Sequence, residues 1–266
     1  MRLLLFLFLF VVIQLIRCQN REDFFFISSL SPIPPLSSTS VSFLTKNELY
    51  NTLISNDDKF FDTFFDYDMK ARQIQSITQY APMIKSAVNF FSETEKAKIQ
   101  KCTKLCDDYL MTIHDISGFD GVKASNIPWI IGKISGISYE YGLPHTRQNS
   151  IIVLPNKNIN DNDSELTRTL IHEKIHLYQK IYSSDIEVYL EQHNMVRIKK
   201  REYDDYIRAN PDLDDWIYKD KITGFIYKCE YSSKEPQNIL DVKNTNQLFE
   251  HPFEKMAVEI SQKLFI

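Results

Sequence analysis

The sequence predicts an α+β protein: a mainly helical N-terminal half followed by a half in which a small β-sheet leads into one buried helix. Three observations predict it. Up to about residue 126, apolar residues fall in helix-length segments, two of them opened by capping boxes. From Ile127-Pro128-Trp129 the chain turns to short apolar runs broken by turn residues. Residues 166–182 then run without Pro or Gly, with Leu166, Leu170, Ile171, Ile175, Leu177 and Tyr178 covering most of a helical circumference, so that helix has to be buried. A chain of 266 residues that is 43% hydrophobic and 25% charged can build a sizeable core, and a net charge of −4 gives no electrostatic case for binding nucleic acid.

Taken in order, Met1-Arg2 and the apolar run 3–16, interrupted only by Gln14, have the form of a signal peptide ending at Cys18. Fourteen residues fall short of the roughly 20 a membrane-spanning helix needs. No stable membrane span is therefore expected, and the chain is expected to be secreted or to enter the lumen of the secretory pathway, an uncleaved signal anchor being the alternative. Residues 19–44, rich in Ser and Pro from Ser28 onward, read as a linker, and 45–126 as a helical region. Within that region Thr45-x-x-Glu48 opens a short helix, the Phe-rich stretch 60–65 forms another, and Ser92-x-x-Glu95 opens a longer one ending near Met111. Removal of Cys18 leaves Cys102, Cys106 and Cys229, an odd number, so no disulfide framework is expected.

Residues 127–266 read as a second domain. Segments 129–135 and 151–154 read as short strands, with His145 and Thr146 near the start of the second at the sheet edge beside the cleft; His145 reads as an exposed loop histidine, substrate contact being the alternative. Asn162-Asp163-Ser164 is a glycosylation sequon just before the buried helix, and the same stretch supplies its N-cap candidates. Residues 185–205 read as one or two further helices with a solvated face of mixed charge, and 216–231 as a hairpin whose tyrosines share one face. A last helix begins around Pro252, which suits its first turn.

The chemistry concentrates in His172-Glu173-Lys174-Ile175-His176. Histidines four apart lie on one helical face about 6 Å from each other and can converge on one ion, whereas Glu173, about 100° around, can reach a water on the ion's open side. A catalytic zinc site needs a third protein ligand and an open position. Gln179 and Tyr182 stand where the extended motif with a third histidine needs Gly and His, and no cysteine lies in a suitable motif. Five carboxylates remain: Glu187, Glu191, Glu250, Glu254 and Glu259.

Together with the downstream Pro252-Phe253-Glu254-Lys255-Met256-Ala257, this pattern resembles the zincin metallopeptidases of the glutamate-ligand kind, the gluzincins. In that family a downstream helix presents a Glu followed three residues later by Ala. The resemblance implies a zincin-like catalytic domain over 127–266, a zinc ion held by His172, His176 and Glu254, Glu173 as general base, and a peptide or protein substrate. Zinc would polarise the scissile carbonyl and lower the pKa of a bound water whose proton Glu173 takes. Position 258 departs from the pattern, since Val258 stands where many members carry an Asp that orients the first histidine. For the oxyanion donor, Tyr227, Tyr231, His193 and His251 stay open. Two other readings compete: a catalytically inactive binding protein on the same scaffold, and a helical structural protein with no metal.

Overall fold

A small sheet with a different core on each face organises the residues that the computed structural model describes, namely 40–148, 150–243 and 249–263. The signal peptide expected at 1–18 lies outside them. In the sheet, β1 (Val41–Phe43), β3 (Trp129–Ile134) and β5 (Ile151–Pro155) are parallel neighbours. Along the edge of β3 that carries β1, β2 (Val88–Asn89) continues antiparallel, and β4 (His145–Arg147) pairs antiparallel with β5 at the opposite edge. Strand alternation sorts the side chains into two cores. Trp129, Ile131, Ile152 and Leu154 join one, and Ile134, Ile151 and Val153 join the other.

The second face is covered by α1 (Lys46–Ser55) and α3 (Tyr80–Ala87), with α2 (Asp66–Ala71) between them in sequence. Gly132 belongs to this face, and a Cβ there would overlap the buried Leu49 side chain, so the close approach of α1 to β3 depends on the glycine. The first face is covered by α4 (Glu93–Leu110) and α7 (Asp163–Ile181), reached through the short helices α5 (Gly121–Ser125) and α6 (Asn156–Asn160). Both expected capping boxes form, at Thr45/Glu48 and Ser92/Glu95. The N-cap of α7 is Asn162, whose side chain accepts the Glu165 N–H at 3.0 Å.

Three expectations are corrected. The boundary at 126/127 marks a change of secondary structure and not of core: Ile99, Cys106 and Leu110 pack with Leu170 and Ile175 in one cluster, and residues 38–266 form one compact unit. The linker expected to reach residue 44 ends earlier, because Val41–Phe43 is a strand paired to Trp129–Ile131. The helical reading of 185–205 holds for α8 (Ser183–Gln192) only. Asn194, at φ 57° in the left-handed region, stops that helix, and Met195–Lys200 follows as β6. Its exposed basic residues misled because a charged strand with one solvated face has the composition of a charged helix.

The strand β6 opens a second, antiparallel sheet with β7 (Trp216–Asp220) and β8 (Ile226–Tyr227), which contains the expected hairpin. Tyr218 and Tyr227 are cross-strand partners in the main core, whereas Tyr231 packs in a separate cluster with Tyr67. Last comes α9 (Pro252–Gln262), packed against α7, with His251 as N-cap and Pro252 in its first turn.

Candidate metal centre

Leu166, Leu170, Ile171, Ile175, Leu177 and Tyr178 are all fully buried, which fixes α7 in the core and sets the direction of its remaining side chains. Lys174 leaves on the side of α4: its Nζ donates to Asp107 Oδ1 at 2.6 Å and to the Ser125 carbonyl at 3.1 Å, and lies over the Trp129 ring. His172 and His176 leave on the side of α9. There the first turn of α9 presents Glu254, and the small Ala257 and buried Phe253 and Met256 let the two helices approach.

The three side chains converge. His172 Nε2 and His176 Nε2 are 3.0 Å apart, and they lie 3.3 and 3.5 Å from the two oxygens of Glu254. Ligands held at ~2.0–2.1 Å by a tetrahedral ion stand roughly 3.3 Å from one another, so these spacings suit such an ion. Gln179 settles the protonation of His176. Its Nε2 donates to the Phe253 carbonyl at 2.9 Å, which turns its Oε1 toward His176 Nδ1, also at 2.9 Å. A carbonyl oxygen can only accept, so Nδ1 carries the proton and Nε2 offers a lone pair to the cluster. A proton on His172 Nε2 would be shared between the His176 Nε2 lone pair and Glu254, whereas a divalent cation would be held by all three groups at once.

The titration directions follow the same geometry. Burial pushes His176 below its usual range. It also opposes charge on His172, but the hydrogen bond and charge of Glu254 outweigh it and leave His172 raised. Burial would raise Glu254 too, yet His176 and His172 outweigh it and bring its carboxyl down to about 2.

Glu173 takes no part in the triad. It is buried, and burial together with the charges of Asp212 and Glu254 raises its carboxyl well above the ordinary range. Its Oε2 has no hydrogen-bond partner among the described residues, and the side chain lines a cavity of about 780 Å³ shared with His172 and Glu254. A buried carboxyl oxygen without a partner is costly, and here it borders space that a reacting molecule can occupy.

The competing carboxylates are engaged away from the triad, Glu250 among them although it lines the same cavity. Glu187 pairs with Arg197, Glu250 with Arg208 and Asn210, Glu259 accepts from Tyr189 OH at 3.4 Å, and Glu191 is exposed on α8. None of the four residues left open as oxyanion donors lines the cavity: His193 stacks on Tyr189, His251 caps α9 and contacts Asp214, Tyr231 donates to Asp68, and Tyr227 is in β8. His145 corrects the loop reading in the other direction. It is buried on β4, its Nδ1 3.0 Å from the Leu143 carbonyl, and it does line the cavity.

Arg208 and Asp212 also line it. Arg208 is held by Glu250, and Asp212 accepts from both the backbone N–H and the hydroxyl of Thr146 at 2.6 Å. No spacing rule points to either. Neither protein-family profiles, nor curated proteins, nor solved structures give a significant match to this chain.

Proposed function

We propose that the chain is a zinc-dependent metallopeptidase of the zincin type, with His172, His176 and Glu254 as the ligands of Zn2+ and Glu173 as general base. One observation carries the reading: two imidazole nitrogens and a carboxylate meet at 3.0–3.5 Å beside a buried, unpartnered Glu173 oxygen at the wall of a cavity. The ion would supply Lewis-acid polarisation of a carbonyl and a more acidic water.

The chain's own groups do the rest. Gln179 keeps the His176 Nδ1 proton in place, so that Nε2 stays a ligand atom. A cation at the triad would oppose the rise that burial, Asp212 and Glu254 give the Glu173 carboxyl; so ionised, Glu173 would accept the water's proton at a carboxylate oxygen as the water oxygen bonds to the scissile carbonyl carbon, and return a proton to the amine as the C–N bond breaks. His145 lies at the same cavity wall as a polar neighbour of the substrate. In this reading the product works outside the cytosol after removal of residues 1–18.

Glu173→Gln separates base from ligand. The variant is expected to keep about one zinc per chain and to lose roughly 10²–10⁴-fold of peptide hydrolysis. Turnover equal to that of the unaltered chain would remove Glu173 from the mechanism.

A further inference from the structure

At the edge of the first sheet, β4 pairs with β5 on one side only among the described residues. An open strand edge beside a hydrolytic site is a ready place for an extended peptide to add as a further strand, through main-chain hydrogen bonds. On β4 the groups available for that are the outward N–H and C=O of Thr146, and both are taken. The N–H donates to Asp212 Oδ1 at 2.6 Å. The carbonyl accepts from Lys180 Nζ at 3.1 Å, and the same ammonium donates to Thr146 Oγ1 at 2.6 Å and to the Pro211 carbonyl at 2.7 Å.

The segment that carries Asp212 and the Pro211 carbonyl is itself anchored. Ala209 N–H donates to Asp68 Oδ1, the Ala209 carbonyl accepts from Arg72, and Arg208 is locked to Glu250. All five residues of 208–212 line the cavity that holds His172, Glu173 and Glu254. At about 780 Å³ that cavity has the size of a pocket for one small ligand, for which about 300–1,000 Å³ is typical.

We propose that Asp212 and Lys180, the latter tied to the Pro211 carbonyl, close the free edge of β4, so that the site takes short peptides seated in the cavity and not extended segments of long chains paired to the sheet. This rests on the peptidase reading above. A long substrate would have to displace two charge-assisted hydrogen bonds before pairing, which costs it at least about tenfold in kcat/KM.

Two measurements on the full chain test it. The first compares zinc-loaded protein on peptides sharing one scissile bond but of about five and about twenty residues. The shorter is expected to be cleaved at least about tenfold more efficiently, and N-methylation of the longer one's backbone, two residues to either side of the scissile bond, is expected to leave its rate unchanged. Equal cleavage of both lengths, with suppression by N-methylation, would overturn the closure. Cleavage of neither peptide would count against the peptidase reading itself, and the second measurement then still decides the closure. Hydrogen exchange at the Thr146 amide is expected to be slow in the unaltered chain and fast in Asp212→Ala; exchange at the unprotected rate in the unaltered chain overturns the closure whatever the hydrolysis result.

Discussion

Gln179 does two jobs with one amide: it fixes the His176 tautomer and ties α7 to the carbonyl immediately before Glu254. In the sequence it counts only negatively, as the residue that rules out a third-histidine motif, because nothing in its spacing reveals which helix it will meet. His172, His176 and Glu173 were legible for the opposite reason, since one helix fixes their relation and the four-residue period is enough. Glu254 was legible only through the resemblance of its downstream motif, its partners being 78 or more positions away in the chain. Zinc affinity across a set of variants tests this scale. Glu254→Ala and Gln179→Leu are each expected to weaken zinc by about 10–100-fold or more, with Glu187→Ala, Glu191→Ala and Glu259→Ala near the unaltered value. A larger loss in any of the last three than in Glu254→Ala would mean that the ligand set is wrong.

Among the elements, those with local signals formed where the sequence placed them: the two capping boxes, α7, the β7–β8 hairpin and the helix opened by Pro252. The strand β4 had none. Three residues between turn-rich segments carry too little alternation to read, and its place follows from long-range partners. The main ones are those of its own Arg147, fully buried, whose Nε and Nη2 donate to both oxygens of Asp58 at 2.6 and 2.8 Å, whose Nη1 reaches Tyr139 OH, and whose guanidinium lies against Phe60 and Phe61. Burial alone would raise the Asp58 carboxyl, but the hydrogen bonds and charge of Arg147, with the Gln148 and Phe60 N–H groups, bring it from 3.8 down to about 2. A carboxylate depressed on folding contributes stability above its unfolded pKa and loses it as pH falls through the folded value. The pair is accordingly expected to contribute about 2 kcal/mol near neutrality, fading as pH drops from about 4 to about 2. Urea unfolding of the unaltered chain and of Asp58→Asn checks this: their difference should shrink over that window, and a difference independent of pH would contradict it.

For the whole molecule, the α+β class was legible because the change of pattern near residue 127 is real, while the division into two domains was not, because one core runs through both halves. Periodicity reports which face of an element is apolar and says nothing of which other element covers it. Among the described residues no helix is long and apolar enough to cross a membrane. The proposed signal peptide belongs to the same scale: expressed in a secreting cell, the product is expected to begin near Gln19, and recovery of a membrane-held chain retaining residues 3–16 would decide for a signal anchor. The central claim is that a chain folded from one core brings two helices together around a single ion. Metal analysis of the purified protein, alongside His176→Ala and Glu254→Ala variants whose folding is verified by circular dichroism, tests it most directly. About one zinc per chain is expected in the unaltered protein, with loss or sharp weakening in both variants; a folded protein that takes up no zinc, or holds it equally well without His176 and Glu254, would contradict the account.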